Sequence, residues 1–118
     1  MSFVDGYVIA VPNEKKDAYI KLAEESAKIF KDSGALSVVE NWASDVPEGK
    51  ITSFPMAVQC KDDESVVFSW IIWSSKEARD KGMKLAMDDP RMQSMTPESM
   101  PFDGSRMIFG GFETIVDT

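Results

Sequence analysis

The segment Val66–Trp73, VVFSWIIW, most constrains what this chain can fold into. Side chains alternate across a strand, and here both sides are apolar: Val67, Ile71 and Trp73 on one, Val66, Phe68, Trp70 and Ile72 on the other. Its β-branched and aromatic residues favour an extended backbone. A strand that is apolar on both faces belongs inside a sheet covered on both sides. The run is far short of the ~20 residues needed to span a bilayer, so no membrane is expected as a partner.

Around this segment the chain reads as a series of alternating elements. Phe3–Val11 is rich in strand-forming residues and is stopped by Pro12. Asn13 is placed to cap a helix in which Tyr19, Leu22, Ala23, Ser26, Ala27 and Phe30 recur at helical spacing, and Gly34 suits its left-handed end. Ala35–Ala43 predicts a second strand with Leu36, Val38, Glu40 and Trp42 on one face. SDVPEGK (Ser44–Lys50) is turn chemistry, Phe54–Cys60 reads as extended, and KDDES is a charged turn. Ser74 and Glu77 have capping-box spacing for a second helix, which Pro90 ends near Asp89. Ser105–Val116 predicts the last strand.

Strand, helix, strand, strand, helix, strand is the split βαβ plan. It predicts one α+β, ferredoxin-like (βαββαβ) domain over residues 1–118, with an antiparallel sheet and both helices on one face. Alternating strand directions require Leu36–Ala43 and Phe54–Cys60 to be parts of one interrupted strand, with 44–53 as an excursion; otherwise 54–60 is a strand of its own. Two helices cover only one face. A second copy of the chain, packed sheet to sheet about a two-fold axis, is the expected cover for the other.

Histidine is absent. That removes Ser-His-Asp and Cys-His nucleophilic sites, His-ligated zinc and haem, and the usual switch near neutral pH. Any acid–base chemistry falls to carboxylates, Tyr, Lys or Arg. Cys60 is the single cysteine and reads as a small half-buried hydrophobe rather than a nucleophile. With no basic n-region at the N-terminus, a reducing cytoplasmic setting is expected. A net charge of −7 without a basic run argues against nucleic acid. The acidic clusters DVPE and KDDES lack calcium-loop spacing, and no phosphate-binding or dinucleotide glycine pattern occurs. Neither a metal nor a cofactor is expected.

The segments FVDGYVIAVP, GALSVVENWASDVPEGKITSFPMAV, VVFSWIIWSSKEARD, DPRM and MPFDGSRMIFGGFE together resemble the YbaA-like bacterial family, a domain of unknown function. The resemblance covers nearly the whole chain. It implies the dimeric α/β-barrel superfamily, whose ferredoxin-like subunits pair their sheets, and so implies a homodimer by a separate route. That superfamily includes cofactor-free monooxygenases, haem-handling enzymes, lactone isomerases and stress-response binding proteins. Fold analogy of this kind does not select among them. The family lends no catalytic residues, and where its pattern has Asn after RDxx this chain has Met83.

Individual residues narrow the search. Glu40, among Leu36, Val38 and Trp42, is a carboxylate whose pKa burial would raise, able to act as acid or base; alternatively it is a structural Glu paired at a sheet edge. Asp5 shares a face with Phe3, Tyr7 and Ile9, beside Gly6, and is either a ligand contact or strand-entry chemistry, an Asp-Gly pair near the edge. Arg106 enters an apolar strand and calls for Glu40, Asp5 or an anionic ligand. Gly110 and Gly111 each weaken a strand by roughly 0.5–1 kcal/mol relative to Ala, which points to a bulge or a close approach. Asp103–Gly104 reads as a turn, Arg91 as a helix-end cation, Arg79 and Asp80 as a solvated helix face, and the eight Met residues as adaptable packing. Asp45, Glu48 and Lys50 of the turn could rim a pocket.

The resulting expectation is a small, largely apolar metabolite held between sheet and helices, walled by Trp42, Phe68, Trp70 and methionines and oriented by Glu40 or Arg106. Two other readings stand beside it. One is a monooxygenase- or isomerase-like enzyme that needs no cofactor and uses Glu40 as base. The other is a non-catalytic protein-interaction or stress-response module.

Overall fold

The computed structural model describes residues 2–118. One antiparallel sheet carries the strands in the order β2 (Ser37–Trp42), β3 (Glu64–Trp73), β1 (Phe3–Pro12), β4 (Ile108–Glu113). That is the strand order of the split βαβ plan, and it places β3 and β1 in the interior. The long helices α1 (Lys16–Asp32) and α3 (Lys76–Asp88) connect β1 to β2 and β3 to β4. Two four-residue helices, α2 (Phe54–Ala57) and α4 (Pro90–Gln93), lie in the connections.

The helix-facing core is two clusters. Phe3, Ala35, Ile71 and Trp73 form one, and Ile9, Val11, Tyr19 and Val67 the other. The end of α1 is sealed by a pair of bonds around Gly34: its N–H donates to the Lys31 carbonyl, and Ala35 N–H donates to that of Phe30. Gly34 sits at φ +114°, which L side chains rarely adopt, and this turn points the chain back into β2.

Several local expectations are corrected. Residues 54–60 are neither a continuation of β2 nor a separate strand. Ser53 Oγ accepts from Met56 N–H (3.1 Å) and Pro55 occupies the first turn, so a short helix forms despite the apolar alternation. Val58 of this excursion is fully buried with Val8, Ala10 and Val66 and covers one corner of the second sheet face. Asn13 does not cap α1; its side chain accepts from the Ser65 hydroxyl instead. Ser75, not Ser74, caps α3, accepting from Ala78 N–H at 3.0 Å. The last strand begins at Ile108, because Gly104–Arg106 is a 3-10 turn capped by Asp103, and Gly104 adopts no positive φ. Its pairing with β1 is regular, so the Gly pair makes no bulge.

Candidate functional site

Register sets out the helix-facing side of the sheet in rows. Glu40, Ser69, Tyr7 and Phe109 lie abreast across four strands, and Val38, Ile71, Asp5 and Gly111 form the next row. Above these rows, between the sheet, α1, α3 and residues 92–107, lies a cavity of about 380 Å³. Six methionines line it: Met83, Met87, Met92, Met95, Met100 and Met107. Its polar groups are few and sit mostly on the sheet floor.

Glu40 stands at one end. Tyr19 on α1 donates its hydroxyl to Glu40 Oε1 at 2.6 Å. Burial pushes the Glu40 carboxyl above its ordinary range, and the Tyr19 bond opposes this in part. The Tyr19 phenol is itself raised, first by burial and then by the carboxylate beside it. Tyr19 and Glu40 also border a second hollow of about 360 Å³, walled by Trp42, with Lys16 Nζ 5.0 Å above the indole ring.

Asp5 stands at the other end, on an interior strand rather than an edge, and is only 5% exposed. Trp73 Nε1–H donates to its Oδ2 at 2.9 Å. Burial raises its pKa, while that bond and the nearby Arg79 lower it. Tyr7, next on the strand but one, stacks on Phe109 and is pushed up to about 12 by burial and then by Asp5.

Arg79 on α3 is the residue that sequence reasoning missed. It is not a solvated helix side chain: it lines the cavity, its side chain is 24% exposed, and its guanidinium lies 4.7 Å from the Phe3 ring centre. Gly111 makes this possible, since a Cβ there would lie 2.7 Å from Phe3 and 3.0 Å from Arg79 Nη2. The Gly111 signal was in the sequence as a close approach; the identity of the approaching group was not.

The remaining candidates lie elsewhere. Phe68 and Trp70 are on the opposite sheet face, one residue out of phase with Ser69, and do not wall the cavity. They continue an aromatic series from Phe54, with ring centres 5.6 and 5.4 Å apart. Gly110 shares that face, under the Phe112 ring. Arg106 meets neither Glu40 nor Asp5: both its Nη atoms donate to the Glu64 carboxylate at 2.7 Å, Nη1 also to the Gln59 carbonyl, and Nε to Asp103. Its donors are taken up by structure. Asp45 borders a smaller hollow beside Phe54 and Phe68, away from the main cavity. Arg91 bonds Asp89 and Asp32. Among the described residues no three His, Cys, Asp or Glu side chains are grouped to share a metal ion, and no helix is long and apolar enough to cross a membrane.

Residues 2–104 match the family model described as protein of unknown function (DUF1428). The chain is 58% identical over 117 residues to the "Uncharacterized protein YbaA" of Escherichia coli strain K12, covering 99% of each chain, and equally to that of Shigella flexneri. In three dimensions it is similar to an uncharacterized NIPSNAP domain protein from Burkholderia xenovorans, with a TM-score of 0.60 and 14% identity over 96% of this chain and 94% of that one. At that identity the likeness shows the fold alone.

Proposed function

The chain belongs to the DUF1428, YbaA-like family, and on that footing we propose that it binds a small, largely apolar molecule in the cavity between sheet and helices. The lining carries this reading: six of the eight methionines converge on one volume. Flexible thioethers repack around ligands of irregular shape, whereas a core that only needs filling is better served by Leu, Ile and Val. A cavity of about 380 Å³ with a few placed polar groups also has the size and chemistry of small-molecule sites. The neutral fluorescent probe N-phenyl-1-naphthylamine is expected to bind saturably, one per subunit, and Ala27→Trp, which drives a ring into the cavity, is expected to abolish this with an unchanged circular dichroism spectrum. No saturable binding to the parent chain, or binding that survives in a folded Ala27→Trp variant, overturns the reading.

Glu40 favours a second reading, catalysis without a cofactor. A carboxyl at the cavity's edge with a raised pKa, held in place by a phenol, has the properties of a general base. Glu40→Gln keeps the shape of the site, so it should abolish turnover of a molecule that co-purifies with the chain while leaving probe binding intact. Retained turnover would exclude the role.

The second sheet face supports a homodimer as part of the same proposal. Phe68, Ile108 and Phe112 are exposed there beside half-buried Trp70 and Ile72, an apolar area that the 54–60 excursion leaves open. Native mass spectrometry at micromolar concentration is expected to give a dimer, and Phe112→Asp a monomer. A monomeric parent chain refutes the assembly. A cytoplasmic setting completes the proposal, in keeping with the free thiol of Cys60.

A further inference from the structure

We propose that the cavity's ligand is an amphipathic carboxylic acid, its carboxylate held by Arg79 and its apolar body lying along the methionines. This rests on the binding function proposed above and goes further by naming the ligand's polar end.

The inference comes from matching donors to acceptors. Both carboxyls facing the cavity have partners: Glu40 accepts from Tyr19, and Asp5 from Trp73. The donors are in surplus. Arg79 Nη1 is 3.6 Å from Asp5 Oδ1, too far for a hydrogen bond. Asp80 Oδ1 lies 3.2 Å from Arg79 Nε but out of line, and that buried Nε has no acceptor among the described residues. A guanidinium offers five N–H donors in a planar fork, and leaving buried donors unmet is costly. Phe3 and Gly111 fix the plane of the fork, so little ordering remains to be done when an acceptor arrives. The acceptor that fits such a fork is a carboxylate, bound by two parallel N–H···O bonds. The Tyr7 hydroxyl lines the same cavity, and burial keeps it protonated as a further donor.

The two carboxyls raise the competing case of a cationic ligand. Each carboxyl already has a donor, Trp73 for Asp5 and Tyr19 for Glu40, whereas the buried Arg79 Nε has no acceptor among the described residues, so the unmet need at this site is for an anion. Titration calorimetry at pH 8 with octanoate, 1-octanol and octylammonium decides among these. Octanoate is expected to bind the parent chain at one per subunit, at least tenfold tighter than 1-octanol. Arg79→Met is expected to erase that preference, and Arg79→Lys to keep part of it, each checked for native circular dichroism. Equal binding of octanoate and 1-octanol, or a preference for octylammonium, overturns the carboxylate assignment and leaves the cavity's binding role standing. An octanoate preference that persists in folded Arg79→Met overturns the role of Arg79. Saturable binding of none of the three overturns both.

Discussion

Replacing Gly82 by alanine is expected to destabilise the protein by about 3 kcal/mol, against the helix propensity of the substitution. In an exposed helix interior the change would gain about 1 kcal/mol. Gly82 lies instead where α3 presses on the sheet: a Cβ there would stand 2.2 Å from Trp73 Cζ3 and 2.8 Å from the Ser33 carbonyl oxygen. Neither neighbour can yield cheaply. Trp73 is fully buried with its indole N–H committed to Asp5, and Ser33 forms the C-terminal cap of α1. Overpacking against rigid neighbours costs about 1–3 kcal/mol, occasionally more, and here two are struck at once. Urea unfolding followed by circular dichroism reads the effect as a lower midpoint with an unchanged slope. A midpoint equal to or above that of the parent chain would show that α3 can shift freely.

Arg106→Met is expected to cost about 2 kcal/mol, and the loss should fade in acid. Removing one partner of a buried ion pair costs about 3–5 kcal/mol because a charge is stranded. Glu64 has a side chain only 4% exposed, but Arg106 at 13% keeps some contact with water, which sets the lower figure. Arg106 also holds the Gln59 carbonyl at a residue whose φ of 49° is strained for a side chain, so the 54–60 excursion loosens with it. The two Arg106 bonds hold the Glu64 carboxyl down at about 2, against an ordinary value of 4.5. A carboxyl lowered in the folded state stabilises above its unfolded pKa and loses that stabilisation as pH falls through the folded one. The gap between parent and variant should therefore be full above about pH 4.5 and narrow toward pH 2. Asp5 and Glu40, raised by burial, bias stability in the opposite sense, but they do so in both proteins and cancel in the difference. A gap that is constant from pH 7 to pH 3 would assign the loss to packing rather than to the pair.

The elements with strong periodicity were legible from sequence: α1 through its apolar stripe and Gly34, and β3 through two apolar faces that only an interior strand can carry. Phe54–Cys60 was misread because Phe54, Met56 and Val58 alternate like a strand. The overriding signal, Ser53 two residues before Pro55, is local capping chemistry and was present in the sequence. On the site side, Glu40 and Asp5 were visible as carboxylates out of place on apolar strands. Arg79 was not, since a cation four residues into a charged helix looks like any other surface residue. Its burial depends on Gly111 and Phe3, which meet it only through the antiparallel pairing of β1 with β4. Arg106 was noticed for a sound reason, a cation among apolar residues. Its partner is Glu64 because the chain turns at Asp103 and enters the sheet two residues after Arg106, at Ile108.

Trp73 joins two features that are usually separate in a small domain. Its ring is the surface on which Gly82 seats α3, and its N–H ends on the carboxylate below Arg79. It therefore serves as a built-in spectroscopic gauge of the cavity. Trp73 is fully buried with its N–H on Asp5, so its indole proton should exchange slowly with water and shift as Asp5 titrates or as Arg79 acquires an anion. Occupancy of the cavity can then be followed in the unlabelled, unmodified chain, before its natural ligand has been identified.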